Sequence, residues 1–130
     1  MQVLAARVLL RPADMDLSIG FYERALRLVR FREWGDPPAR GIVYFLGGGY
    51  LELTETAPGQ PPPDPPRGVR LWLQVGDITA VRGELSAAGV AVAAEPERKP
   101  WGLVEMSVRD PDGLELVVVE TPLDHPLRRR

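Results

Sequence analysis

Arg7-Val8-Leu9-Leu10, followed by Asp14 and a helix-like stretch, returns as Arg70-Leu71-Trp72-Leu73, followed by Asp77 and a second such stretch. The spacing is 63 residues, and at that spacing Leu10 meets Leu73, Asp14 meets Asp77 and Ala25 meets Ala88. Each copy continues into short apolar runs and closes on Leu-Glu-Leu, at Leu51-Glu52-Leu53 and at Leu114-Glu115-Leu116. A unit duplicated in this way makes a paired, concave sheet, and its inner-face residues decide what it holds.

Working outward, Val3–Arg11 alternates as a strand does. Asp14 suits a helix N-cap, because its carboxylate can accept from free amides of the first turn. Met15, Ser18, Tyr22 and Ala25 share one side of the helix that follows, with Phe21 and Leu26 beside them. Strands are expected over Leu28–Trp34, Gly41–Leu46 and Tyr50–Thr56, with Gly47-Gly48-Gly49 as a tight hairpin turn. In the second copy Val69–Val75 is a strand and Asp77 caps a helix with Ile78, Val81, Leu85 and Ala88 on one face. Gly89 ends that helix. Val90–Ala94, Leu103–Arg109 and Leu114–Glu120 are strands, and Asp110-Pro111-Asp112-Gly113 turns the chain between the last two. Between the copies, Ala57 to Gly68 holds six prolines and reads as a stiff, extended linker. The fold class is α+β: two β-α-β-β-β modules forming a curved mixed sheet with a concave ligand cleft. Module 1 spans about 1–56, the linker 57–68, module 2 about 69–122 and a tail 123–130, all in one domain.

Composition narrows the function. The chain has 130 residues, 45% of them hydrophobic, enough for one core or two packed halves. Its net charge of −2 gives nucleic-acid binding no electrostatic support. There is no cysteine, hence neither a disulfide nor a thiolate metal site. No apolar run approaches the ~18 residues of a membrane span, and Arg7 interrupts the start, which therefore does not read as a signal peptide. The expected location is cytoplasmic. The basic residues are fifteen Arg and the single Lys99, and Asn is absent, a composition of high-GC genomes. Arg128-Arg129-Arg130 reads as a solvated tail, and His125 as a surface residue of that tail.

Asp14, Ser18-Ile19-Gly20-Phe21-Tyr22, Pro100-Trp101-Gly102 and Asp110-Pro111-Asp112-Gly113, set in the paired module order, resemble the vicinal oxygen chelate superfamily. That superfamily includes glyoxalase I, extradiol dioxygenases, fosfomycin resistance enzymes and bleomycin resistance proteins. The resemblance covers nearly the whole chain. Metal enzymes of the superfamily bind a divalent ion from the first and fourth strands of each half, usually through two His and two Glu. Those positions fall here on Arg7, Glu52, Arg70 and Val117, of which only Glu52 keeps the ligand type. A guanidinium has no lone pair to offer a metal, and valine has no donor atom. No metal and no other cofactor is expected.

With those four pointing inward, alternation places Leu9, Tyr50, Thr54, Trp72, Gln74 and Val119 on the inner face. Val8, Leu10, Leu51, Leu53, Leu71, Leu73, Leu116 and Val118 then lie under the helices. An Arg7–Glu52–Arg70 cluster is expected where the metal would sit, and Trp72, Trp101 and Trp34 are candidate stacking planes. The expected ligand-binding residues are Arg7, Leu9, Trp34, Tyr50, Glu52, Arg70, Trp72, Gln74, Trp101 and Val117, with no catalytic residue among them. The resemblance is strongest to metal-free, bleomycin-resistance-type proteins. It implies a homodimer that sequesters a planar aromatic natural product, such as an intercalating peptide antibiotic, without breaking a bond. Two other readings stand beside it. One is a metal-free enzyme in which Arg7 and Arg70 hold a small carbonyl or carboxylate metabolite and Glu52 is the base. The other is an accessory binding protein in natural-product biosynthesis.

Overall fold

The computed structural model describes residues 1–128, in two units divided between Asp64 and Pro65. In the first unit, β1 (Arg7–Leu10) is followed by α1 (Met15–Ile19), which runs into a π-helical segment (Gly20–Ala25). β2 (Arg30–Trp34), β3 (Gly41–Leu46) and β4 (Gly49–Thr54) complete it. The second unit holds β5 (Arg70–Val75), α2 (Ile78–Ala87), β6 (Val92–Arg98), β7 (Val104–Arg109) and β8 (Glu115–Glu120). Strand order is β1-β4-β3-β2 in one sheet and β5-β8-β7-β6 in the other. The first and last strands of each unit pair in parallel, and the other neighbours are antiparallel. Among the described residues no helix is long and apolar enough to cross a membrane.

Both aspartates cap as their position implies. Asp14 Oδ1 accepts from the Leu17 amide at 3.1 Å, and Asp77 Oδ1 from the Ala80 amide at 3.0 Å. The first helix does not continue as a regular α-helix. Its wider π winding turns the adjacent Phe21 and Tyr22 to the sheet together, their rings edge to face at 5.0 Å. Beneath it lie Ile42, Tyr44, Leu51 and Leu53, all buried. The second unit repeats this with Ile78 and Leu85 over Leu71, Met106, Val108, Leu116 and Val118. Ala88, expected on the buried face of α2, is exposed just past its end, and Val8, Leu10 and Leu73 are half-buried. Gly89 adopts φ +75, and the Val90 amide bonds back to the Leu85 carbonyl at 2.9 Å, closing the helix.

Two departures from simple alternation matter. β6 is longer than Val90–Ala94 suggests, because bulges between Val92 and Ala94 and between Ala94 and Glu97 carry it past Pro96 at the sheet edge. The repeated Leu-Glu-Leu triplets are also not equivalent in space. Arg7 pairs with Tyr50, but Arg70 pairs with Glu115, so Glu52 corresponds to Val117 and Tyr50 to Glu115. The second triplet has slipped by two residues, an even shift that keeps each side chain on its face.

Charged clusters brace the ends of the first sheet. The Arg40 guanidinium grips Glu55 through Nε at 3.0 Å and Nη2 at 2.8 Å and reaches Asp16 of α1 at 2.9 Å. This holds the Glu55 carboxyl below its ordinary value. Arg30 does the same for Glu23, which also accepts from the Tyr44 hydroxyl at 3.2 Å.

Two outcomes follow from these bonds. Asp110 is buried, and its Oδ1 accepts from the amides of Asp112 and Leu114, both at 2.9 Å. Asp110→Ala should cost ~2 kcal/mol in urea unfolding, while Asp64→Ala in the linker stays within about 0.5 kcal/mol of the parent. A depressed carboxyl stabilises the fold above the unfolded value of about 4.3 and loses that contribution as pH falls through the folded value. Urea midpoints taken from about pH 7 to pH 3 should therefore fall less steeply for Glu55→Gln than for the parent chain.

Candidate functional site

The helix of each unit covers one face of its sheet; the other face carries the unusual side chains. In the first unit three rows cross that face. Arg7, Tyr50 and Phe45 stand side by side on β1, β4 and β3, and Phe31 of β2 completes the row. Phe31 lies 5.1 Å from both Phe45 and Tyr50, which are 5.9 Å apart, and the Arg7 guanidinium carbon is 5.8 Å from the Tyr50 centroid. Next come Leu9, Glu52, Val43 and Arg32, then Thr54, Gly41 and Trp34.

Glu52 is the polar centre. Its side chain is 15% exposed, and both oxygens are engaged: Oε1 by Arg7 Nη1 at 2.9 Å, and Oε2 by the Thr54 hydroxyl at 2.9 Å. Pairing makes such a carboxylate tolerable at this burial. Trp34 lies over Gly41, where a Cβ would come within 2.1 Å of the indole. Arg32 sits over the same indole, its guanidinium carbon 5.6 Å from the ring centroid.

The second unit carries a related arrangement. Arg70 Nε is 3.7 Å from Glu115 Oε2, and the Ser107 hydroxyl donates to Oε1 at 2.8 Å. Each unit thus holds one carboxylate between a first-strand guanidinium and a hydroxyl. The partner of Arg70 is Glu115 of its own sheet. Within each sheet, then, a first-strand arginine has its own carboxylate, Glu52 for Arg7 and Glu115 for Arg70, the latter brought opposite Arg70 by the two-residue slip. Trp72 is 51% exposed beside Val117, and Gln74 is half-buried beside Val119. Val117 and Val119 are buried with Leu103 in a small apolar cluster, so Val117 presents little surface to a ligand. Trp101 precedes β7 and is 58% exposed, and its indole N–H donates to Glu105 at 2.6 Å.

His125 is not a free tail residue. Its Nδ1 accepts from the Leu127 amide at 3.1 Å, which leaves the proton on Nε2 to donate to the Trp101 carbonyl at 3.2 Å. Arg128, expected in a solvated tail, donates to the Thr121 carbonyl at 2.6 Å; Arg129 and Arg130 lie outside the described residues. The four positions that correspond to a family metal site hold two guanidiniums, one fully engaged carboxylate and a valine. That donor set does not fit a divalent ion. Among the described residues no group of three or more His, Asp or Glu side chains could hold one.

Phe31, Arg32 and Phe45 are absent from the residues expected by alternation. Phe45 follows from the hairpin, since it pairs with Tyr50 across the Gly47-Gly48 turn. Phe31 does not follow. The register shifts between Arg30 and Arg32, and this bulge places Phe31 and Arg32 on the same face while Arg30 turns to the helix side.

The family model described as Glyoxalase/Bleomycin resistance protein/Dioxygenase superfamily matches residues 5–118. Among solved structures, the chain is similar to a glyoxalase/bleomycin resistance protein from Catenulispora acidiphila, at 23% identity and a TM-score of 0.70, covering 92% of this chain and 100% of that one. It is similar to TioX from Micromonospora sp. ML1 at 21% identity and a TM-score of 0.73, covering 91% and 98%. A glyoxalase-related enzyme from Fulvimarina pelagi aligns at 22% identity and a TM-score of 0.73, covering 95% and 91%. No curated protein matches. At these identities the structural likeness shows the fold.

The placement of Trp34 has a spectroscopic consequence. In a Trp72→Phe, Trp101→Phe background, Gly41→Ala should displace the Trp34 ring, shift its emission to the red and increase its quenching by acrylamide. Unchanged emission would refute the stacking of Trp34 on β3.

Proposed function

The chain belongs to the glyoxalase/bleomycin resistance protein/dioxygenase superfamily, and from that premise we propose that it binds and sequesters a planar aromatic natural product without a metal. The observation that carries this reading is the exposed aromatic surface of the first sheet, Phe31, Phe45 and Tyr50 in mutual contact. Only Phe21, Tyr22 and Tyr44 of the chain's nine aromatic residues are buried, between the first helix and its sheet. Fully burying a Phe side chain is worth roughly 2–3 kcal/mol, and Phe31 and Phe45 remain 46% and 45% exposed. A flat apolar ligand would recover part of that burial. The engagement of both Glu52 oxygens supports a binding rather than a proton-abstracting role. The proposal extends to a homodimer, to which the edge strands β1, β2 or β5 would offer unpaired backbone groups. Sedimentation as a monomer at micromolar concentration would overturn that part.

The test is a tryptophan-fluorescence titration of the purified, metal-free protein with planar aromatic antibiotics of glycopeptide, quinone and intercalating peptide types. Saturable quenching at micromolar concentration or tighter is expected, with the ligand recovered at unchanged mass. Phe45→Ala should weaken that binding about tenfold, equivalent to ~1.4 kcal/mol. No saturable response across the panel, or a ligand altered in mass, would overturn the proposal.

A further inference from the structure

Arg32 is placed differently from the other arginines around the first sheet. Arg7 is taken up by Glu52, Arg30 by Glu23 and Glu33, and Arg40 by Glu55 and Asp16. Arg32 pairs with no carboxylate among the described residues; its contact is the indole of Trp34. Glu52, two strands away across Val43 of β3, is already engaged by Arg7 and the Thr54 hydroxyl. The bulge that turns Phe31 outward also brings Arg32 beside it, at the margin of the Phe31–Phe45–Tyr50 surface. A cation–π contact at this distance uses none of the guanidinium N–H donors.

We propose that this face selects aromatic anions: the aryl plane lies on Phe31, Phe45 and Tyr50, and a carboxylate or phenolate of the same ligand is received by Arg32. The inference rests on the aromatic-binding reading above and adds the charge of its ligand. The face carries two guanidiniums, Arg7 and Arg32, against the single carboxylate Glu52, in a chain whose net charge is −2. Among the described residues this local excess of positive charge has no carboxylate partner. A planar guanidinium can hold a carboxylate through two parallel hydrogen bonds, a geometry that an ammonium cannot match. A neutral ligand of the same shape would stack equally well and leave Arg32 to water.

Isothermal titration with 2-naphthoate and 2-naphthamide, which share a ring and differ in charge, tests the inference. Naphthoate should bind about fivefold more tightly or better, with the preference shrinking as salt is added. Arg32→Gln should abolish the preference while leaving naphthamide affinity within about twofold, since the aryl surface is untouched. Arg67→Gln, an exposed change in the Pro-rich linker, should leave the preference as it was. Arg32→Lys keeps the charge but loses the fork, and should retain the preference only in part. Equal affinity for the two probes, or a preference that survives Arg32→Gln, would overturn the charge inference and leave aromatic binding standing. Binding of neither probe would overturn both.

Discussion

The parallel pairing of β1 with β4, and of β5 with β8, is the constraint on which the rest depends. It joins the first strand of each unit to its last, and the helix in between must cross one face to make that connection. Once that face is covered, the two-residue period sorts every side chain in the sheet. Leu51 and Leu53 go under the helix, and Tyr50, Glu52 and Thr54 go to the other side. The pairing also decides which polar groups meet. Because Arg7 lies opposite Tyr50 and Arg70 opposite Glu115, the two guanidiniums find different neighbours despite their equivalent positions.

The consequence is a division of labour among aromatic residues. Phe21, Tyr22 and Tyr44 act as core, close-packed between the helix of the first unit and its sheet. Phe31, Phe45 and Tyr50 touch one another and remain open on one side. An isolated exposed ring is ordinary on a protein surface, whereas a contiguous group beside a guanidinium leaves apolar area that folding did not bury. Glu52, fixed by Arg7 and Thr54, contributes rigidity at the centre of that group.

Much of the fold was readable from local chemistry. Asp14 and Asp77 cap where short side chains before apolar periods should, and the Asp110 turn and the Gly47-Gly48 hairpin fall where their residue types demand. The strand register puts Arg7, Leu9, Tyr50, Glu52, Arg70, Trp72, Gln74 and Val117 on the faces that alternation implies. What escaped is non-local. A bulge is chosen by the partner strand, so Arg30-Phe31-Arg32 gives no sign that two neighbours will share a face. The slip of Leu114-Glu115-Leu116 against its apparent copy gathers one extra residue before β7 and one in the turn between β7 and β8, and identity of the triplets masks it. Pro96 argues against a strand locally, and only the bulged register of β6 accommodates it.

That same edge has a bearing on the behaviour of the chain in concentrated solution. An edge strand with an unbroken row of amides is a template on which foreign strands can grow into insoluble aggregates. In β6 one amide is missing at Pro96, two register shifts disrupt the remainder, and Glu95, Glu97 and Arg98 surround the break with charge. Intermolecular sheet growth from that side of the second unit is thereby obstructed by the backbone itself, at no expense to the aromatic surface of the first.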